Sequence, residues 1–198
     1  MDRLHTLIAL ALALISLAAC DDSAKSAPPI APRFEAVTAK APAADPLAEL
    51  CDVRFDAGQG PVLTLPALDA TTPEVNVGGS QWLNLWATWC KPCVEEMPMI
   101  EKFRSELAGK GTALHVHLVS VDATPELVAD FRKAHPGLPE TARIADAAAL
   151  PGYIQTLGLD SGAGLPVHAF TGSDGKLRCV RSGAVAETDL DTIAQLVK

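Results

Sequence analysis

The sequence predicts an α/β domain in which helices flank a central mixed β-sheet. A β-α-β pattern extends from residue 81 to residue 121, a β-hairpin follows between Pro166 and Arg181, and a helical pattern covers residues 187–197. Strands joined through a helix run parallel, whereas strands joined by a tight turn run antiparallel. A chain that contains both connections needs a sheet of mixed strand direction.

The β-α-β pattern is the best defined of these segments. Gln81–Trp86 is a mainly apolar run typical of a buried strand, and Ala113–Val121 alternates as a second strand. Between them, residues 91–107 have helical spacing, and Gly109 and Gly111 end the helix. The apolar positions of this helix are Met97, Ile100, Phe103 and Leu107. The unit should have the usual right-handed crossover.

Less regular patterns follow this unit. Thr124-Pro125 begins a second helix that runs to about His135, and a glycine-rich turn at residues 172–175 joins two hairpin strands. The other predicted elements are a short strand near Ala142–Ala145, an alanine-rich helical stretch around Tyr153, the hairpin strands Pro166–Phe170 and Lys176–Arg181, and a last helix at about Glu187–Val197.

The N-terminal segment has the features of an export signal. Arg3 precedes eleven mainly apolar residues, Leu7–Leu17, too few for the roughly 20 that span a bilayer. Leu17-Ala18-Ala19-Cys20 resembles a bacterial lipobox, so we expect a signal peptide at residues 1–19 and lipid on Cys20. An ordinary secretory signal with an incidental cysteine is the alternative.

Composition divides the rest into a tether and one domain. Residues 20–50 are rich in Ala and Pro without apolar periodicity, so we expect a tether there and the folded domain at residues 51–198. Asp21 resembles an inner-membrane retention signal, and outer-membrane or soluble periplasmic locations are the alternatives. The net charge of -8 and the 5% aromatic content argue against nucleic-acid binding.

Cys90 and Cys93 form a CxxC motif at the predicted start of the first long helix. Free backbone N–H groups and the helix dipole stabilise a thiolate at that end. We therefore expect Cys90 to be the nucleophile and Cys93 to be the resolving thiol. Pro92 suits the first helical turn, and Lys91 either supports the thiolate or is a solvated surface residue.

The residues around this motif resemble those of TlpA/ResA-like proteins, a branch of the thioredoxin superfamily. The similarity includes the whole of Trp86–Cys93 and extends from about Gly60 to the C-terminus. Further matches are Glu96, Pro98, the Gly164-Leu165-Pro166 loop and the Asp174-Gly175-Lys176 turn. The resemblance implies a thioredoxin fold, with a TlpA-like insertion between the first β-α-β unit and the hairpin that follows a cis-proline.

The resemblance also implies roles for single residues. Pro166 would be the cis-proline that faces the disulfide and helps to guide an extended substrate. Thioredoxin proper has a buried aspartate six residues before its first cysteine, but in this chain Asn84 takes that place and cannot accept a proton. Glu96 matches a glutamate of the TlpA/ResA-like branch and would carry the proton of Cys93. Alternatively, Glu96 only complements the helix N-terminus.

The family similarity implies a protein-disulfide reductase of the kind that serves apocytochrome c or copper-protein maturation. Its electrons would come from a DsbD- or CcdA-type membrane protein, and it would be a monomer. No cofactor is expected beyond the redox-active Cys90–Cys93 disulfide, and no metal, since zinc would need a second pair of ligands.

Other functions stay open at this point. A DsbA-like oxidase would use the same cysteines, although the Lys-Pro dipeptide resembles the other branch. A copper metallochaperone would bind Cu(I) through the two thiolates, with Met97, Met99 or His168 nearby. A lipoprotein scaffold with an incidental CxxC is the remaining alternative.

Two of the five cysteines remain after these assignments. With Cys20 lipidated and Cys90 paired with Cys93, Cys51 and Cys179 are left. An even remainder in an oxidising compartment suggests a structural disulfide, and two free thiols are the alternative.

Overall fold

The computed structural model describes residues 45–70 and 79–198. The predicted signal peptide, Cys20 and most of the predicted tether lie outside the described residues. Within the two described ranges, the helices are α1 (Pro46–Leu50), α2 (Lys91–Gly109), α3 (Pro125–Ala134), α4 (Leu150–Thr156) and α5 (Leu190–Leu196). The strands of the same ranges are β1 (Val53–Arg54), β2 (Ser80–Trp86), β3 (Leu114–Ser120), β4 (Ala142–Arg143), β5 (Val167–Thr171) and β6 (Leu177–Ser182).

The strands form one sheet in the order β1-β6-β5-β2-β3-β4. The β2, β3 and β4 strands are parallel to one another, while β5 is antiparallel to both β2 and β6. The predicted mixed sheet is therefore confirmed. All seven residues of β2 are buried because the strand has neighbours on both sides and side chains packed over both faces.

Helix α2 packs its apolar positions into two hydrophobic clusters. Met97 belongs to the cluster that also contains both cysteines of the CxxC motif. Phe103 belongs to the second cluster, where its ring meets that of Trp82 edge-on at a centroid distance of 6.2 Å. Because these clusters hold α2 against the sheet, the N-terminal end of the helix is fixed at the carboxyl end of β2.

The hairpin has the predicted turn. Gly175 adopts a positive φ of 72°, and its N–H donates to the Gly172 carbonyl at 3.0 Å. A residue with a Cβ rarely adopts this conformation, so the turn uses a glycine there. The hairpin places β5 beside β2, with Val167 opposite Leu85.

The segment between β3 and β5 contains α3, β4, a 3₁₀ turn at Ala147–Ala149 and α4. Strand β4 extends the parallel edge of the sheet, with Val119 opposite Ala142. The C-terminal helical segment also differs slightly from the prediction, since it begins with a 3₁₀ turn at Glu187–Asp189 before α5.

Folded structure is present before the predicted domain boundary at Cys51. Asp45 accepts a hydrogen bond from the Leu47 N–H at 3.0 Å and so caps α1, with Pro46 in the first turn. Leu50 is only 3% exposed and packs into the second cluster. The end of the proposed tether is therefore helical, because a local cap and one buried leucine anchor it. Neither α1 nor the two-residue strand β1 was predicted.

Candidate active site

The CxxC motif lies where β2 leads into α2. Cys90 is the N-cap residue of α2 and Cys93 lies in its first turn, with a disulfide between them and a Cα–Cα distance of 5.3 Å. Cys90 is 4% exposed and Cys93 is fully buried. An incoming thiol or disulfide can therefore reach Cys90 more readily than Cys93.

The residues around the cysteines differ in exposure. Trp89, directly before Cys90, is 72% exposed and offers a large apolar surface beside the disulfide. Lys91 points to solvent, with its Nζ 3.5 Å from a carboxylate oxygen of Glu95. This exposed pair is worth little energetically, and the geometry favours the surface interpretation of Lys91. Pro92 occupies the first turn of α2, as its missing N–H allows.

Pro166 directly precedes β5. It lies at the end of the sheet that holds the carboxyl end of β2. The Leu165–Pro166 peptide bond is cis, and the Pro166 carbonyl accepts a 2.8 Å hydrogen bond from the Gly183 N–H. The antiparallel pairing of Leu85 with Val167 places Pro166 on the same side of the sheet as the turn that leads to Cys90.

Glu96 is a buried acid on the same helix as Cys93, with 5% of its surface exposed. Its Oε1 accepts a hydrogen bond from the Asn84 side-chain amide at 2.7 Å, and its Oε2 accepts one from the Val185 backbone N–H at 3.0 Å. His168 Nε2 lies 3.4 Å from Oε1. Burying a carboxylate is costly unless donors compensate it, and each of these three neighbours can donate. Asn84 therefore serves as a hydrogen-bond donor to the acid.

Two of the residues considered as copper ligands have other partners. Met97 is 1% exposed and packs in the core. His168 is fully buried, and its Nδ1 accepts a hydrogen bond from the Trp82 indole N–H at 3.0 Å. Among the described residues, no three His, Cys, Asp or Glu side chains are grouped so that they could hold a metal ion.

Comparison with known proteins gives matches to thioredoxin-like proteins and thiol-disulfide oxidoreductases. Thioredoxin-like protein YneN of Bacillus subtilis is 45% identical over 49 residues, which are 25% of this chain and 29% of that protein. Thiol-disulfide oxidoreductase ResA of Oceanobacillus iheyensis is 45% identical over 53 residues, 27% of this chain and 26% of the relative. The chain thus spans less than a third of the length of either relative. No family model matches the sequence.

The fold itself is found in solved structures. The crystal structure of a thioredoxin-related protein from Neisseria meningitidis serogroup B superimposes with a TM-score of 0.52 and 26% identity, covering 66% of this chain and 96% of that one. The chain is thus similar to TlpA/ResA-like proteins in the segment around the CxxC motif, and to a thioredoxin-related protein in its fold. This finding confirms both the family resemblance and the thioredoxin fold expected from the sequence.

Asp122 holds the loop that carries the CxxC motif. Asp122 follows β3, is 1% exposed, and accepts hydrogen bonds from the Thr88 N–H at 2.9 Å and the Thr88 hydroxyl at 2.8 Å. The Ser120 hydroxyl donates a third at 2.7 Å. Because Thr88 is two residues from Cys90, these bonds orient the turn from which the nucleophile would act.

Sequence analysis did not identify Asp122, although it carries a recognisable signal. It is an acidic residue directly after a predicted parallel strand that neighbours β2, and functional groups of α/β sheets collect at the carboxyl ends of such strands. The contact between Val185 and Glu96 had no comparable signal, because it joins a backbone N–H near the C-terminus to a side chain 89 positions earlier.

The second cysteine pair joins the beginning of the domain to its hairpin. Cys51, at the end of α1, forms a disulfide with Cys179 of β6, and the Cα–Cα distance is 5.3 Å. Cys179 is fully buried in the second hydrophobic cluster. The bond connects two elements that are 128 positions apart and lies outside the cluster that contains Cys90.

Proposed function

We propose that this protein is a thiol-disulfide oxidoreductase that reduces disulfides of other proteins through Cys90 and Cys93. The observation that carries the proposal is a cysteine pair at the N-terminus of a long helix, in which Cys90 is 4% exposed and Cys93 is fully buried. The relative ResA is named a thiol-disulfide oxidoreductase, and the chain is 45% identical to it over the 53 residues that align.

The reaction would have two steps. The Cys90 thiolate attacks a substrate disulfide, which forms a mixed disulfide and releases one substrate thiol. The Cys93 thiolate then attacks the Cys90 sulfur, so that the intramolecular disulfide forms and the second substrate thiol leaves. Two electrons pass to the substrate, and Cys93 must lose a proton before it reacts. Glu96, one helical turn from Cys93, is the proposed acceptor of that proton.

Trp89 and Pro166 would help to bind the substrate. The exposed indole lies next to Cys90 in the chain, and the loop before β5 lies at the same edge of the sheet. A substrate segment bound in an extended conformation at this loop would receive backbone contacts as well as apolar contact. Such a site selects an accessible, extended segment around a disulfide, as in an incompletely folded protein.

The proposed location is the outer face of a bacterial inner membrane, with lipid on Cys20. The Cys51–Cys179 disulfide supports an oxidising compartment. Within residues 45–70 and 79–198, no helix is both long and apolar enough to cross a bilayer. A DsbD- or CcdA-type membrane protein would return electrons to Cys90 and Cys93.

A Cys20→Ala variant tests the lipid anchor. It should lose incorporation of radiolabelled palmitate and membrane association, whereas labelling equal to that of the parent would refute the anchor.

The equilibrium reduction potential of the Cys90–Cys93 couple tests the direction of electron flow. A potential well below about -200 mV, towards the thioredoxin end of the scale, supports a reductase. A potential near about -120 mV indicates an oxidant and would overturn the proposed direction. The matched control is the Cys90→Ser, Cys93→Ser double variant, which retains only the Cys51–Cys179 pair and reveals its separate contribution.

Substrate trapping tests the activity itself. A Cys93→Ser variant should accumulate mixed disulfides with its substrates, because the second step can no longer occur. The double variant Cys90→Ser, Cys93→Ser should trap none. If both variants trap the same proteins, the trapping does not involve Cys90 and the proposed activity is wrong.

A further inference from the structure

His168 has its ring proton in a defined position. The residue lies on β5, two positions after Pro166, and is fully buried. The Trp82 indole N–H donates to its Nδ1 at 3.0 Å, and the Asn84 amide nitrogen lies 3.3 Å from the same atom. Two donors face Nδ1, so Nδ1 is an acceptor and the ring carries its proton on Nε2.

That Nε2–H group faces Glu96. The Nε2 atom lies 3.4 Å from Glu96 Oε1, the oxygen that also accepts from Asn84. In the described part of the chain, Nε2 has no hydrogen bond within normal geometry, so the imidazole presents a buried, unused donor next to a buried carboxylate. A shift of a few tenths of an ångström in either side chain would turn this contact into a hydrogen bond.

We propose that His168 is a positioning residue for Glu96, and that its Nε2–H controls how readily the Glu96 carboxylate takes the proton of Cys93. The inference rests on the proposed function, since it needs Glu96 to act as that acceptor. The proton moves from the Cys93 thiol to Glu96, leaving a thiolate and a carboxylic acid. The thiolate then attacks the Cys90 sulfur of the mixed disulfide and displaces the substrate thiolate.

The direction of the effect follows from electrostatics. A donor aimed at a carboxylate stabilises its charged form and so opposes proton uptake. Asn84, Val185 and His168 all approach the Glu96 oxygens, and of these three groups only the His168 ring is titratable. Removing the His168 donor should therefore make transfer of the Cys93 proton to Glu96 more favourable.

Two substitutions separate the two nitrogens of the imidazole. In His168→Asn, the side-chain oxygen can still accept from Trp82 near the Nδ1 position, but nothing reaches Glu96. In His168→Gln, the longer amide can keep a donor near the Nε2 position.

The full-length protein in detergent is reduced at Cys90 and Cys93 and mixed with dithiobis-nitrobenzoate. The second phase of nitrothiobenzoate release reports the attack by Cys93, and its rate is measured across pH.

The expected result is an upward shift of the inflection of this rate by about one pH unit in His168→Asn, with His168→Gln close to the parent. Glu95→Gln, at the exposed neighbour of Glu96, is the matched control and should leave the inflection in place. Glu96→Gln should remove the inflection.

The outcomes distinguish the two proposals. If Glu96→Gln removes the inflection but His168→Asn leaves it unchanged, the inference about His168 is overturned while the role of Glu96 stands. If Glu96→Gln leaves the inflection unchanged, Glu96 is not the proton acceptor, and the inference about His168 fails with it. Reaction of Cys90 in the first phase tests the oxidoreductase proposal separately.

A measurement on the parent protein needs no substitution at residue 168. Nitrogen NMR of the ¹⁵N-histidine-labelled protein, with His168 assigned through its contact with the Trp82 indole proton, should show the Nε2–H tautomer at neutral pH. A neutral ring with its proton on Nδ1 would overturn the inference, because Nε2 would then have no proton to donate to Glu96.

Discussion

The Asn84 side-chain amide donates a 2.7 Å hydrogen bond to Oε1 of Glu96, joining the central strand β2 to helix α2 in the interior of the domain. Asn84 is fully buried, and its own Oδ1 has no hydrogen-bond partner among the described residues. Asn84 stands at the position where thioredoxin proper has a buried aspartate. In this chain that position therefore supplies a neutral donor to the acid Glu96.

An Asn84→Asp substitution tests this pairing. It replaces the donor with a second acid next to Glu96, and two adjacent buried carboxylates hold one proton between them. At pH 7 we expect a loss of about 1–3 kcal/mol in the free energy of unfolding. The carboxyl pair binds this shared proton more tightly in the folded state than in the unfolded state. The contribution of the pair to stability is therefore present at low pH and is lost as pH rises.

Urea unfolding of Asn84→Asp at pH 5 and pH 7 therefore checks the sign: the deficit relative to the parent should be smaller at pH 5. Asn84→Ala removes the same donor without adding an acid and is the matched control. Equal deficits of Asn84→Asp at the two pH values would contradict the coupling.

Weakening the contact between Asp122 and Thr88 should reduce the order of the active-site loop. In the parent protein, both Asp122 carboxylate oxygens accept hydrogen bonds from Thr88 or Ser120. In Asp122→Asn, an amide N–H₂ replaces one of these oxygens, so that this donor faces the donor groups of Thr88 or Ser120. We expect a loss of about 1–3 kcal/mol in the free energy of unfolding, together with altered alkylation of reduced Cys90 by iodoacetamide.

Thr88→Val is the matched control for Asp122→Asn. It removes the hydroxyl bond but keeps the 2.9 Å bond from the Thr88 backbone N–H, so its effects should be smaller. If Asp122→Asn reacts with iodoacetamide at the parent's rate and unfolds at the parent's urea concentration, Asp122 does not hold the loop.

The disulfide between Cys51 and Cys179 predicts a large contribution to stability. A closed loop of this length restricts the unfolded chain, and its removal in Cys51→Ala, Cys179→Ala should lower the free energy of unfolding by up to about 4–5 kcal/mol. Urea unfolding of the double variant measures this loss. Mass spectrometry of a non-reduced digest of the parent should contain the linked peptides, whereas free thiols at both positions would refute the bond.

Protonation of the buried His117 should lower the stability of the folded protein in acid. Burial, with a smaller contribution from His115, lowers its pKa to about 4. Its unfolded value is about 6.5, so between these values the unfolded state binds more protons and stability falls as pH falls. The contribution is at most about 3 kcal/mol.

His117→Gln should therefore lose less stability than the parent when urea unfolding is compared at pH 7 and pH 4. His135→Gln, at an exposed histidine of the described chain, is the surface control. An identical loss in the parent and in His117→Gln would show that His117 does not titrate in this way.

Much of the fold could be predicted because its signals are local. The apolar run of β2, the helical spacing after the cysteines and the glycine turn of the hairpin each follow from a few neighbouring residues. The helix α1 was missed because its five residues give little periodicity, and its stability depends on burying Leu50 against distant elements.

The sequence by itself determined the strand-helix-strand frame, the CxxC motif at a helix start and the resemblance to TlpA/ResA-like proteins. These depend on residue type and on spacing along the chain. Only the tertiary structure decided which polar groups meet: Asn84, Glu96, His168 and Val185 come from four separate segments, as Asp122 and Thr88 come from two. The physical reason is that a buried hydrogen bond depends on the distance and direction between two atoms, which strand pairing and helix packing set after the chain has folded.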